Sequence, residues 1–277
     1  LVIFTAEVKT MKKAGVIFSC LIIILLVFQA CSTVPLTGRR QVNLLPESEM
    51  IAMGLTNYSE FLKENPPSPD ASSSAVVKEV GNNIASAVQK YFTDNRIESR
   101  LEGYAWEFNL VESQEANAWC MPGGKVVVYK GILPYTVDKN GLAVVISHEI
   151  AHAVARHGNE RMSQQLLAQL GGIALSEALK TKPEETRSIF LTAYGLGSQV
   201  GVLLPYSRRH ELEADRLGLI FMAMAGYDPQ SAVSFWERMA SMGGTKPPEF
   251  LSTHPSDETR IAKIKEAIPE AMKYYKK

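Results

Sequence analysis

His148-Glu149-Ile150-Ala151-His152 places three reactive side chains within five residues. Two histidines four apart on a helix project from one face, one turn from each other, so both imidazoles reach one cation. Glu149, beside the first histidine, is then positioned to take a proton from water at that cation. Imidazoles at this spacing suit zinc, and a zinc ion that acidifies water next to a carboxylate performs hydrolysis. The pentapeptide equally fits two solvated or core histidines with no metal, so the rest of the chain must decide.

A hydrolytic zinc takes three protein ligands and keeps one position open. His157 is the nearest candidate, but it lies five residues past His152, well round a continuous helix. The extended motif with a third histidine needs Gly and His where this chain has Ala155 and Gly158. His157 is therefore read as a structural or surface histidine. Ser207-Arg-Arg-His-Glu-Leu-Glu-Ala-Asp215 offers more. Glu211 and Asp215 are four apart and share a face, while Glu213 points away. Glu211 would complete a His2Glu set, and Asp215 would accept the free ring N–H of a ligand histidine. Alone, the same segment also reads as an ordinary charged helix face.

These residues need helices and a sheet to hold them. Glu47 to Glu64 and Ser72 to Tyr91 have helical spacing, the second with Val76, Val80, Ile84 and Val88 on one stripe. Trp106–Val111, Ala116–Cys120 and Lys125–Lys130 read as strands of one small antiparallel sheet, with a turn at 121–124. Helices are predicted from Leu142 to His157, Ser163 to Lys180, Glu184 to Leu204, Ser207 to Ala225, Gln230 to Met242 and Asp257 to Met272, with Gly158 stopping the first. Ile189 to Leu204 carries no charge and is too short to span a bilayer, which predicts a helix buried beneath the site. The fold class is α+β, predominantly helical.

The 277 residues are 46% hydrophobic, enough for one sizeable core, and 29 basic against 29 acidic residues give no bulk attraction to nucleic acid. Lys12 and Lys13 precede an uncharged apolar run from Ala14 to Phe28, and Ala30 precedes Cys31. A basic start, a short apolar run and a small residue before the cut describe a secretory signal. Cysteine directly after the cut predicts lipidation of Cys31 and a bacterial lipoprotein. Met11 is a plausible start, which would make residues 1–10 a misassigned beginning. Ser32 in place of Asp favours the outer membrane. The expected organisation is a signal over 1–31, a tether over 32–46, and a metallopeptidase domain over 47–277. Cys120 alone would then remain as a free thiol, which excludes an all-cysteine zinc site.

Taken together, HEIAHAVARHG at 148–158, S-R-x-x-E-x-E-A-D at 207–215, and Gly218 through Met222-Ala-Met-Ala-Gly-Tyr-Asp-Pro229 resemble the HtpX-like and CAAX-prenyl-protease zinc metallopeptidase family. Asn117-Ala118, Pro122-Gly123-Gly124, Gly131, Thr253-His254-Pro255 and Arg260-Ile261 extend the likeness, which is closer to the exported BepA-like and LoiP-like branch. The resemblance implies a gluzincin (zincin-like) fold with the active-site helix against a small sheet. It also implies His148, His152 and Glu211 as ligands of one zinc per chain, and Glu149 as catalytic base. The multiple membrane spans of some relatives are missing, which argues against processing of prenylated peptides within a bilayer.

The expected activity is endopeptidase hydrolysis of unfolded or misfolded envelope and outer-membrane proteins, at the periplasmic face of the outer membrane. An edge strand around Asn117 and Ala118, or around Lys125–Lys130, would pair with extended polypeptide. His210 or Arg208 would steady the oxyanion, although His210 is badly phased beside Glu211. In the resembling branch the His-Pro loop lies near the metal, so His254 is expected as an extra ligand that holds the enzyme latent. The competing expectation is a zinc-bearing chaperone or assembly factor with little cleavage; an intact Glu149 favours the enzyme. Oligomeric state and physiological substrate are not written in the sequence.

Overall fold

The structure, a computed structural model, describes residues 31–199, 203–241, 249–254 and 258–276; the signal expected over 1–30 lies outside them. Exposed Cys31 opens β1 (Cys31–Thr33), which pairs antiparallel with β2 (Arg40–Val42). The stretch expected as a tether is thus a hairpin, with Val34 and Gln41 buried. Leu36 and Gly38 turn it with φ of 64° and 66°.

Helix α1 (Glu47–Glu64) matches its predicted span. Helix α2 (Ala71–Asp94) starts where Asp70 accepts from Ser73 N at 3.0 Å, a cap that satisfies a free helix-end donor. Its buried stripe is Val77, Val80, Ile84, Val88 and Phe92. Gly81 lies on it because Phe108 fills the space: a Cβ there would meet that ring at 2.3 Å.

Strands β3 (Glu107–Val111), β4 (Ala118–Met121) and β5 (Lys125–Tyr129) form one sheet in the order β3-β5-β4. Only β4–β5 is antiparallel; β3–β5 is parallel, which corrects the all-antiparallel expectation. The chain crosses from β3 to β4 and leaves a gap, and the β4–β5 hairpin folds its second strand into it. Alternating side chains report faces but not strand direction, so the sequence could not show this. Gly123 and Gly124, at φ of 89° and 83°, make the hairpin turn.

After the short helix α3 (Leu133–Thr136) comes α4 (Lys139–Val154), capped by Asp138 on Gly141 N at 2.9 Å. Every residue from Gly141 to Val154 is buried. A helix apolar on all sides belongs inside, and α4 is enclosed by α2, the sheet, α7 (Leu204–Met224) and α8 (Ser231–Ser241). Helix α4 ends at Val154 and does not run on to His157 and a stop at Gly158, as predicted. Arg156 takes the left-handed conformation, φ 60°, and α5 (His157–Ala178) starts afresh. The chain closes with α9 (Glu249–Thr253) and α10 (Glu258–Ala271).

Helix α6 (Glu184–Ser198) overturns the expectation of a buried helix under the site. None of its residues is buried, and Ile189 is 68% exposed. It leans on α5, where Tyr194 donates to Ala168 O at 2.8 Å. Among the described residues no helix is long and apolar enough to cross a membrane.

Candidate metal centre

Helices α4 and α7 touch nearly backbone to backbone. A Cβ on Gly218 would stand 3.0 Å from His148 N and 3.2 Å from His148 Cα. This contact lets short side chains from the two helices meet. His148 Nε2 and His152 Nε2 lie 3.1 Å apart, as their spacing predicts. Glu211, two turns from Gly218 on the same face, brings Oε2 to 3.4 Å from His148 Nε2 and Oε1 to 3.4 Å from His152 Nε2. His254, just after α9, adds Nδ1 at 2.8 Å from Glu211 Oε2 and 3.2 Å from His148 Nε2.

The donor set fits zinc. Ligands about 2.0–2.1 Å from a tetrahedral zinc sit roughly 3.3–3.4 Å from one another. The separations here are 2.8–3.4 Å, and the four ligand atoms lie within 4.8 Å of one another. Glu149 is buried, with Oε1 free of any hydrogen bond and 3.3 Å from His254 Nε2. Such a carboxylate oxygen is where a proton acceptor is needed. Burial pushes the Glu149 carboxyl up, although His254 and His148 pull against it. Burial acts on Glu211 in the same sense, but His152, His148 and His254 outweigh it and hold that carboxyl far below the carboxylate range.

The two α4 histidines have different neighbours behind them. His148 Nδ1 faces Asp215 Oδ1 at 3.0 Å. Burial pushes His148 down, but Asp215 and Glu211 hold it up at about 9. Asp215 accepts from Arg260 Nε and Nη2 at 2.7 and 2.8 Å. Burial would raise the Asp215 carboxyl; Arg260 and His148 keep it at about 2. Arg260 also donates to His254 O at 3.0 Å and stacks 3.7 Å over Trp236. His152 Nδ1 instead faces His157 Nδ1 at 3.0 Å, and His157 Nε2 faces Glu213 Oε2 at 3.0 Å. Burial pushes both of these imidazoles well down.

Of the residues singled out in the sequence, His148, Glu149, His152, Glu211, Asp215 and His254 come together. His157 is no ligand but is fully buried, so a surface role is excluded. His210 stacks on the far side of His157, ring centroids 4.3 Å apart, and its Nε2 lies 2.9 Å from Glu160 Oε2. Arg208 is exposed. Neither reaches the cluster, so the expectation of an oxyanion stabiliser there fails on helix phase. The sequence reading gave Arg260 and Glu213 no role at the metal; charged residues on helices 45 and 56 positions from their partners carry no local signal.

A cleft of about 190 Å³ opens beside the cluster, lined by Glu149, His152, His254, Trp119, Cys120 and Arg156. Strand β4 forms its rim and is an edge strand, whereas β5 is central, so Lys125–Lys130 offers no free edge. Tyr129 N donates to Asn117 O at 3.0 Å, which turns alternate backbone groups of β4, at Ala118 and Cys120, outward. Ala118 N is held by the Asn117 side chain at 2.9 Å. A larger cavity, about 580 Å³ between the β1–β2 hairpin, α5 and α6, contains none of the four cluster residues.

Residues 80–268 match the model of peptidase family M48. The chain is 41% identical over 175 residues to mitochondrial metalloendopeptidase OMA1 of Schizosaccharomyces pombe, covering 62% of this chain and 50% of that protein. It is 34% identical over 205 residues to mitochondrial metalloendopeptidase OMA1 of Saccharomyces cerevisiae, covering 71% and 57%. The β-barrel assembly-enhancing protease of Escherichia coli is 32% identical over 166 residues, covering 57% and 33%. The chain therefore spans about half the length, or less, of these relatives. They overturn the expected location on the periplasmic face of the outer membrane as a lipoprotein, because the relatives of higher identity are mitochondrial. The narrower likeness to an exported branch is not upheld, and no finding supports a lipid anchor at Cys31.

Proposed function

The chain belongs to peptidase family M48, and on that premise we propose that it is a zinc-dependent endopeptidase acting on unfolded polypeptides in protein quality control. One observation carries the reading: buried Glu149, whose Oε1 accepts no hydrogen bond, stands beside four side chains converging at zinc-ligand separations.

His148, His152 and Glu211 hold the metal in this proposal. When bound, zinc acidifies water and polarises the scissile carbonyl. Glu149 takes the proton from the attacking water and passes it to the departing amine; its raised pKa suits both halves of that exchange. Asp215 fixes the orientation of His148, and Arg260 fixes Asp215. An extended substrate segment pairs with the outward backbone groups of β4, chiefly at Cys120, since Ala118 N already has a partner. Main-chain pairing reads no sequence, which suits unfolded chains. His254, 2.8 Å from Glu211 and 3.2 Å from His148, would serve as a further ligand in this conformation and keep the enzyme latent until it withdraws.

The test is casein digestion and metal content for wild type, Glu149→Gln and Glu211→Gln. Wild type should carry one zinc and cleave; Glu149→Gln should keep the zinc and lose cleavage; Glu211→Gln should lose both. Equal inertness of wild type, Glu149→Gln and the unlatched His254→Ala would favour a zinc-bearing chaperone instead.

A further inference from the structure

The β1–β2 hairpin reaches into the protein through one side chain. Arg39 donates from Nη1 and Nη2 to Glu160 at 2.8 and 2.6 Å, and from Nε to Glu213 at 2.7 Å. Thr37 Oγ donates to the other oxygen of Glu213 at 2.5 Å. The Glu160 and Glu213 side chains are 2% and 6% exposed, and Arg39 only 14%. An ion pair this deep repays its desolvation only when its geometry is well satisfied. Here all three arginine donors facing the carboxylates are used.

The far end of this cluster touches the metal centre. Glu213, a carboxylate paired with Arg39, can only accept, so His157 Nε2 must carry the proton in their 3.0 Å contact. His157 Nδ1 is then the bare nitrogen and accepts from His152 Nδ1–H at 3.0 Å. That leaves the lone pair of His152 on Nε2, the nitrogen that faces His148 and Glu211. The reverse tautomer of His157 would put the proton of His152 on its metal-facing nitrogen. A left-handed Arg156 makes the contact available, because it breaks the helix and swings His157 back onto His152. Such a non-glycine conformation is strained and persists where surrounding contacts enforce it.

We infer that Arg39, Glu213 and His157 are positioning residues for His152, and that the N-terminal hairpin is thereby part of the metal centre. Arg39 fixes the carboxylate, the carboxylate selects the tautomer of His157, and His157 selects that of His152. His148 obtains the same service from Asp215 and Arg260. The inference rests on the proposal that His152 is a zinc ligand.

The experiment measures zinc affinity of the full chain by competition with a chromophoric chelator, the visible spectrum of the cobalt-substituted protein, and the His152 tautomer by long-range 15N–1H NMR. Arg39→Gln and Glu213→Gln should each weaken zinc binding by about 10–100-fold, shift the cobalt spectrum and mix the His152 tautomers. Together they should cost little more than the worse single change, because they break one chain of contacts. Arg40→Gln, on the exposed neighbour, should change none of these. If Arg39→Gln only lowers thermal stability, with wild-type zinc affinity, cobalt spectrum and tautomer, the inference is wrong and the hairpin is a staple. If Arg39→Gln does not fold, Thr37→Val removes one Glu213 hydrogen bond at equal shape; an unchanged zinc affinity and spectrum there would overturn it. A wild type that binds no zinc would instead refute the underlying proposal.

Discussion

Gly218→Ala should damage the metal centre more than it damages the fold. The added methyl would stand 3.0 Å from His148 N and 3.2 Å from both His148 Cα and Ser147 C. Ordinary contacts of this kind lie near 3.5–4.0 Å. All three atoms belong to the backbone of α4, so no side chain can swing aside, and relief requires the helices to part by roughly 0.5 Å. Overpacking of this sort costs about 1–3 kcal/mol. Replacing glycine by alanine inside a helix returns about 1 kcal/mol. The net loss is then about 0–2 kcal/mol, or up to roughly 8 °C in Tm for a domain of this size. The ligand set has less room. A separation of 3.4 Å between His148 Nε2 and Glu211 Oε2 already stands at the upper limit for a tetrahedral pair, and parting the helices lengthens it. Zinc affinity, read by chelator competition beside a thermal melt, should fall at least about tenfold, equivalent to about 1.4 kcal/mol. Wild-type affinity together with an unchanged or higher Tm would refute the claim that close approach of α4 and α7 builds the site.

Gly81→Ala makes the complementary case, since its Cβ would meet the Phe108 ring at 2.3–2.6 Å far from the ligands; it should cost about 1–3 kcal/mol in urea unfolding and leave zinc affinity unaltered. His254→Ala should raise casein cleavage while weakening zinc binding, and constancy of both would end the idea of a latch. Burial pushes the Glu160 carboxyl up, but Arg39 and His210 outweigh it and hold it at about 2. A depressed carboxyl stabilises fully above its unfolded value near 4.5 and ceases to do so as pH falls toward 2, so wild type should lose on the order of 3 kcal/mol over that window. Glu160→Gln should show a flatter stability profile there, and parallel profiles for the two proteins would count against the pairing.

The sequence was informative wherever a helix carried its own periodicity. His148 with His152, and Glu211 with Asp215, follow from a spacing of four, and α1 and α2 follow from their apolar stripes. It was silent where the decisive partner came from another element. His157 seemed misplaced because a continuous helix was assumed; the left-handed turn at Arg156 cancels that assumption. Arg39 sat in a stretch rich in Pro and Gly that read as a tether, although its guanidinium is the counter-ion for two buried carboxylates. The uncharged run from Ile189 suggested burial, yet α6 is exposed because the chain supplies nothing to cover it among the described residues. Strand direction failed for a related reason: pairing of β3 with β5 depends on where β4 leaves space.

Charge balance ties these separate pieces together. All five histidines of the chain belong to one connected set of ring and ion-pair contacts. Among them lie five buried carboxylates, Glu149, Glu160, Glu211, Glu213 and Asp215; Arg39 pairs with Glu160 and Glu213, and Arg260 with Glu211 and Asp215. Carboxylates gathered in so little water are costly unless compensated. A divalent cation among His148, His152 and Glu211 would bring two positive charges to the place where they gather. Burial already pushes the Glu149 carboxyl up, which makes it a better acceptor for a proton from water. Compensation of buried carboxylates therefore favours a cation at the ligands, and burial favours proton uptake at Glu149, the residue assigned as base.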